Sequence, residues 1–274
     1  MSAPPRTLRV LTLNLWHDRG DVSRRMEIAV AEAKALNLDV IGLQEVRDVP
    51  GGLRQAEEFA QAIGGKYEFG VADPDSEGGP IGNAIVSRLP MRNPSTIPLP
   101  TPRGDYRVAL AVEIETAVGR LAFISTHLSW ELEASAVREE QVVAVDAFAR
   151  SRHRDLPSIM VGDFNATPDA DSIRFLTGRK SLRGKSTYWR DAFARVRGHS
   201  DGFTWSDRNP LVAAHVERNR RIDFIFIGPL SPEGRGSILD SRVTLDVPGP
   251  DGIYGSDHFG VYTEIALDPV PSPV

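Results

Sequence analysis

Residues 159 to 169 read Ile159-Met160-Val161-Gly162-Asp163-Phe164-Asn165-Ala166-Thr167-Pro168-Asp169, and the rest of the chain is understood from them. A short apolar run ends abruptly in an acid, an amide and a Thr-Pro-Asp turn, the pattern of a buried strand that delivers polar groups to its own C-terminal rim. Asp163 and Asn165 are two apart, so on a strand they share a face, while Phe164 points into the opposite layer. Two readings are open here: a functional rim, or an ordinary strand-to-helix turn whose Asp and Asn bond nearby backbone groups.

Upstream, residues 8 to 16 alternate as a strand with Asn14 near its end. Met26, Ala29, Val30, Ala33 and Leu36 follow helical spacing over 21 to 36, with Asp21 as N-cap. A second apolar run over 39 to 46 ends at Glu45, a carboxylate that is costly to bury alone and so faces a metal, an Arg or solvent. A helix is predicted over 53 to 63, a turn-rich loop overhanging the rim over 74 to 80, a strand over 81 to 87, and an irregular Pro-rich connection over 90 to 102. Strands at 108 to 115 and 120 to 127 form a hairpin around 116 to 119, the second ending in Ser125-Thr126-His127. A helix over 131 to 152 follows, with Ser129 as its cap.

Downstream come a short helix at 170 to 176 and a long irregular span, 178 to 221, rich in Arg, Ser and aromatics, with a helix around 188 to 196. A loop of this length is a candidate substrate surface. The last strands are 221 to 227, 242 to 247 and 259 to 267, and Ser256-Asp257-His258 precedes the final one. Alternating strands and helices predict layered α/β packing. No composition break or short repeat divides the chain, so a single domain is expected over 8 to 267, with an extension at 1 to 7 and a disordered Pro-rich tail at 268 to 274.

The 274 residues are 41% hydrophobic and 25% charged, an ordinary globular composition. With no Cys there is no disulfide framework and no thiolate site, so any metal is held by oxygen and imidazole. A net charge of −5 counts against a grip on long nucleic acid by general electrostatics, without excluding nucleic acid. Only Lys34, Lys66, Lys180 and Lys185 are Lys, so Arg supplies most of the positive charge; Arg suits bidentate phosphate contacts, though biased composition is the simpler explanation. The given chain shows neither a membrane span nor a cationic start followed by an apolar core, so a cytoplasmic location is expected.

Asn14, Glu45, His127, Asp163, Asn165, Asp223, Asp257 and His258 all stand at predicted strand ends or adjoining turns. Separate turn caps do not explain eight such placements. The pieces that carry them are Leu13-Asn14-Leu15, Leu43-Gln44-Glu45-Val46, Ser125-Thr126-His127-Leu128, Gly162-Asp163-Phe164-Asn165, Arg221-Ile222-Asp223-Phe224 and Ser256-Asp257-His258. In these motifs and their order, which span residues 13 to 258, the chain closely resembles the endonuclease/exonuclease/phosphatase superfamily. That superfamily includes deoxyribonuclease I, apurinic endonucleases, neutral sphingomyelinases and inositol polyphosphate phosphatases.

The resemblance implies an α/β (α+β) fold, a four-layer αββα sandwich of two mixed sheets packed face to face with helices outside. It also implies metal-dependent phosphoester hydrolysis. Glu45 then corresponds to the principal Mg²⁺ carboxylate, with Asn14 and Asp257 assisting directly or through water, and Mn²⁺ a plausible substitute. Asp163 corresponds to the residue that orients or deprotonates the attacking water, and Asn165 to one that positions phosphate or nucleophile. His258, paired with Asp223, and His127 are implied as cationic or hydrogen-bonding groups against the phosphate oxygens.

The chemistry itself asks for such a set. An anionic phosphodiester repels hydroxide, so a catalyst must neutralise the non-bridging oxygens, align a water and stabilise the leaving charge. Which group is the general base, and whether one or two metals act, stays open. Asp223 has a competing explanation as a partner of Arg220 or Arg221. Asn83 and Arg107 are further candidates for substrate contact, against the alternatives of a turn amide and a surface Arg. Trp130 lies near a rim but fits a core position equally well. His17, His153, His199 and His215 match no motif and default to solvent or ordinary hydrogen bonding, with substrate loops the alternative for His17, His199 and His215. Ser87, Ser125 and Ser256 lack a nucleophile-elbow pattern. The expected activity is hydrolysis of a small-molecule or lipid-headgroup phosphoester by a monomer, ahead of a nuclease acting on DNA or RNA with the same site, and of a catalytically dead binding module.

Overall fold

Two sheets of six strands each stack face to face in the computed structural model, which describes residues 6–102, 104–198, 200–212 and 219–270. The chain runs β1 (Thr7–Asn14), α1 (Val22–Ala35), β2 (Val40–Arg47), α2 (Gln55–Ile63), β3 (Lys66–Asp73), β4 (Ile81–Ser87), β5 (Met91–Pro98), β6 (Val108–Thr116), β7 (Gly119–His127), α3 (Ser135–Ser151), β8 (Ile159–Asp163), α4 (Asp171–Leu176), β9 (Arg190–Asp191), α5 (Ala192–Arg197), β10 (Asp223–Ile227), β11 (Ile238–Thr244) and β12 (Gly260–Ala266). The first sheet is ordered β11-β12-β1-β2-β4-β3 and the second β5-β6-β7-β8-β10-β9. Each is mixed, since β1–β2 and β7–β8 are parallel and the other pairings antiparallel.

Period-two alternation sorts the side chains into layers. Leu8 and Val10 of β1, Phe123 of β7, Val161 of β8 and Ile225 of β10 fill the core between the sheets. Leu11 and Leu13 of β1 turn the other way, against Met26 and Ala29 of α1 and Phe59 of α2. Met160, Phe164, Phe224 and Phe226 likewise back the second sheet onto Val142 and Val145 of α3 and onto α4. The layers are therefore helix, sheet, sheet, helix. Burial of each such Leu, Val, Ile or Phe side chain contributes about 1.5–3 kcal/mol. The sheets approach so closely at Gly42 that a Cβ there would lie 2.2 Å from Val161 Cγ2.

Several sequence-based expectations change. The Pro-rich segment expected as an irregular connection contains a strand, β5, because it lies at a sheet edge where Pro94 and Pro98 forfeit no central ladder bond, and a register shift between Arg92 and Ser95 absorbs the irregularity. β3, the edge strand of the first sheet that lies against β5, has no counterpart among the predicted elements. Ser129 does not cap α3, which starts at Ser135; its hydroxyl donates to Asp105 Oδ2 at 2.6 Å instead. The helix expected around 188 to 196 is confined to α5, because the Asp191 side chain accepts from Ala194 N and fixes the start there. β11 begins earlier than expected and stops at Thr244, before left-handed Leu245. Asp268 is tied to Arg6 at 2.7 Å. His199, His215, residues 1–5 and the tail residues 271–274 lie outside the described residues.

Candidate active site

The alternation that fills the inter-sheet core also aims the polar end of each strand. Asn14 has the parity of Leu8 and Val10, Asp163 that of Ile159 and Val161, Asp223 that of Ile225 and Ile227, and His127 that of Leu121 and Phe123. All four therefore point between the sheets and meet at one rim, where Asn14 Nδ2 donates to Asp163 Oδ2 across the gap at 3.1 Å. Gly162 keeps β8 close enough for this: a Cβ on it would lie 1.9 Å from the Thr126 carbonyl oxygen.

Glu45 and Asn165 reach the same place by breaking the alternation. Glu45 has the parity of Ile41 and Leu43, which face the helices, but the pairing of β2 with β4 shifts between Leu43 and Val46 and Glu45 takes a φ of 51°. This irregularity swings its carboxylate into the cleft, where Asn14 Nδ2 donates to Oε1 at 3.3 Å. Asn165 lies beyond the strand with a φ of 49°, so the expected sharing of a strand face with Asp163 is replaced by a turn in which Asn165 N–H donates to Asp163 Oδ1 at 2.9 Å. Phe164 does enter the opposite layer.

The two imidazoles differ in charge. His258 Nδ1 lies 2.9 Å from Asp223 Oδ2, and its Nε2 lies 3.7 Å from Asp163 Oδ2. Burial opposes its charged form, but the Asp223 and Asp163 carboxylates outweigh that and raise its pKa well above the usual imidazole value. His127 is pushed well down, first by burial and then by Arg107 and His258, so it is the neutral, hydrogen-bonding member and not a cation. Arg107 Nη1, which can only donate, sits 3.1 Å from His127 Nδ1, and the Asn165 Nδ2 amide, also a donor, sits 3.1 Å from Nε2, which faces Asp163 Oδ2 at 3.5 Å. The same amide donates to the Leu128 carbonyl. Asp163 itself is raised to about 7 by burial and then by the charge of Asp223.

Two places gather ligand atoms for a cation. Atoms of Asp163, Asp223 and His258 lie within 4.8 Å of one another, and Asp223 Oδ1 is buried without a hydrogen-bond partner. In that cluster, however, a charged imidazole already bridges the two carboxylates and supplies the positive charge. Glu45 offers the better fit to a hard ion: its carboxylate is a quarter exposed, at 25%, and opens on the cleft beside Asn14. Asp257 is raised to about 6, first by burial and then by the charge of Glu45, so like-charged oxygens crowd this spot.

The cleft, of 270 Å³, is lined by Glu45, Asn83, Arg107 and His127 together with His17, Tyr106 and Trp130. Asn83 Nδ2 is committed to the Val108 carbonyl at 2.9 Å. Arg107 is held by Asp105 at 2.7 Å, so it is no free surface Arg. Trp130 is 62% exposed at the mouth and not part of the core. Asp223 takes neither Arg220 nor Arg221 as partner in place of His258; Arg221 pairs with Asp191 at 2.8 Å. Sequence reasoning missed Trp205 and Thr204, and gave His17 no motif, only a place in a substrate loop. His17 lies beside Glu45, Trp205 packs its ring edge-on against His258 at 4.9 Å, and Thr204 Oγ1 accepts from Asp223 N–H at 3.2 Å. The Asn14-Leu15-Trp16-His17 spacing was the available signal for the first; nothing local marks the other two. His153 lies away from this cleft, in a surface depression with Arg150 and Pro157.

No curated protein matches the chain. Among solved structures, D. rerio TDP2 complexed with a single-strand DNA product superposes with a TM-score of 0.76 at 18% identity, over 94% of this chain and 98% of that one. An endonuclease/exonuclease/phosphatase from Bacteroides vulgatus gives 0.72 at 17% identity, over 96% and 100%. These likenesses show the fold, a DNase I-like sandwich. The sequence pattern of one family matches residues 11–258, nearly the whole chain, and that family comprises metal-dependent phosphoester hydrolases. The chain belongs to the Endonuclease/Exonuclease/phosphatase family.

Proposed function

We propose that this hydrolase acts on a compact phosphoester, a small molecule or a lipid headgroup, with Mg²⁺ held at Glu45 and assisted by Asn14 and Asp257. When bound, the ion supplies positive charge to the phosphate oxygens and lowers the cost of activating water. Asp163, hydrogen-bonded by Asn14 and by Asn165 N–H, is placed to take a proton from the attacking water near neutral pH. His258, fixed by Asp223, carries charge toward the developing phosphorane oxygens. His127, held between Arg107 and Asn165, is a hydrogen-bonding group beside the phosphate, and Asn83 and Arg107 line the cleft as further substrate contacts.

The observation that carries the compact-substrate reading concerns the Arg-bearing span from 178 to 221. Its cations are largely spent on the fold: Lys180 on Asp171, Arg183 on Glu140, Arg197 on Asp240, Arg221 on Asp191, and Arg190 on the Gly228 carbonyl. Arg179 and Arg220 also donate to backbone carbonyls and Arg208 lies by Asp246, so few of the span's described cations remain to follow a polyanion over many phosphates. A nuclease is the second reading, favoured by the DNA product bound to the structurally similar D. rerio TDP2.

The test is a hydrolysis screen over aryl phosphodiesters, phosphomonoesters, phospholipids and nucleic acids at fixed Mg²⁺. It is followed by kcat/KM of the best substrate between roughly 50 and 200 mM NaCl. The compact-substrate reading expects a mild salt response. Efficient cleavage of duplex DNA with a loss of ~10³-fold across that range would promote the nuclease.

A further inference from the structure

We propose that His17 is a ligand of the same cation, adding an imidazole nitrogen to the oxygen donors at Glu45 and shifting the preference of the site from Mg²⁺ toward Mn²⁺ or another transition ion. The inference rests on the reading of Glu45 as the metal carboxylate. His17 Nδ1 lies 2.6 Å from Asp18 Oδ1, and its Nε2 lies 3.8 Å from Glu45 Oε2. With Nδ1 held by Asp18, Nε2 is the ring atom left to turn toward the Glu45 carboxylate. The two atoms face each other beyond hydrogen-bond length. Ligands about 2.0–2.2 Å from a common ion are separated by about 3–4 Å, so a cation between them satisfies both. A carboxylate on the far ring nitrogen is the usual means of fixing a metal-binding imidazole.

The backbone is built to hold this posture. Trp16 and His17 have φ of 54° and 30°, a left-handed pair that bulky residues rarely adopt. The turn is kept there by buried Arg25, whose Nη1 donates to the Leu15 carbonyl at 2.7 Å and whose Nη2 donates to the His17 carbonyl at 3.1 Å. Gln55 Nε2 donates to the same His17 oxygen at 2.9 Å. Asp18 is steadied from the other side by Arg47, 3.5 Å away. Six-oxygen sites suit Mg²⁺, whereas an imidazole donor favours Mn²⁺ and the later ions.

The experiment is pulsed electron paramagnetic resonance on the full chain loaded with Mn²⁺, with calorimetric titration of Mn²⁺ and Mg²⁺ alongside. Wild type is expected to show hyperfine coupling from a directly bound imidazole ¹⁴N. His17→Asn, which tolerates the left-handed turn, should abolish that coupling and weaken Mn²⁺ far more than Mg²⁺. Asp18→Asn should weaken Mn²⁺ binding by about 10- to 100-fold, and it carries the test if His17→Asn does not fold. Wild-type Mn²⁺ binding without ¹⁴N coupling, or coupling that survives in His17→Asn, overturns the role of His17 and leaves Glu45 standing. Mn²⁺ binding unchanged in Glu45→Gln overturns the Glu45 site and this inference with it.

Discussion

The rim of the first sheet and the rim of the second hold carboxylates of the same chemistry in opposite states. The Glu45 side chain is a quarter exposed on an irregular strand end and lines the cleft. Asp163 is sealed at 1% exposure, accepts from Asn14 and Asn165, and is pushed up to about 7. An open carboxylate suits a hydrated divalent ion. A desolvated one near neutrality suits a proton. Exposure and hydrogen bonding thus tell the two rims apart before any ligand is bound.

Substitutions at the two rims should separate these roles. The largest expected effect is Asp163→Asn, which removes the proton acceptor and should slow turnover by on the order of 10²-fold or more while substrate affinity changes little. Steady-state kinetics on the best screened substrate judge it, and normal turnover would erase the difference drawn between the rims. Arg107→Ala comes next: it removes the charged donor to His127 Nδ1, a bond worth about 1.5–3 kcal/mol, and should slow turnover by about 10- to 100-fold. A loss seen only in KM would make Arg107 a plain binding residue.

The smallest effect is a control remote from both rims. Glu113, on β6, is bonded by Arg154 and Asn93, and those partners hold its carboxyl down at about 2. Because the folded value is below the unfolded one of about 4.3, the stabilisation is present above that pH and is lost as pH falls toward 2. Glu113→Gln should therefore lower Tm at pH 6, with the gap from wild type closing in acid. A gap that persists at pH 2 would assign the loss to packing instead of charge.

Much of this was legible in the sequence because strand alternation is a local rule. Leu8, Val10 and Asn14 share one parity, as do Ile159, Val161 and Asp163, so the inward aim of the site follows from the same pattern as the core. The six motifs in order marked the strand ends that converge. What the chain hides are departures from alternation and edge effects. The irregularity that turns Glu45 inward carries no glycine to announce it, and the prolines of β5 argue against a strand unless its edge position is known. Trp130 shows that an aromatic near a rim does not declare whether it faces core or solvent. Trp205 and Thr204 meet His258 and Asp223 only through tertiary packing.

The most direct test of the central distinction is calorimetric titration of Mg²⁺ into wild type, Glu45→Gln and Asp163→Asn. An amide at 45 lacks the charge that holds a hard cation. The account predicts that Glu45→Gln loses Mg²⁺ binding while Asp163→Asn keeps it. Retention in Glu45→Gln with loss in Asp163→Asn would move the ion to the buried cluster of Asp163, Asp223 and His258 and contradict the assignment of the two rims.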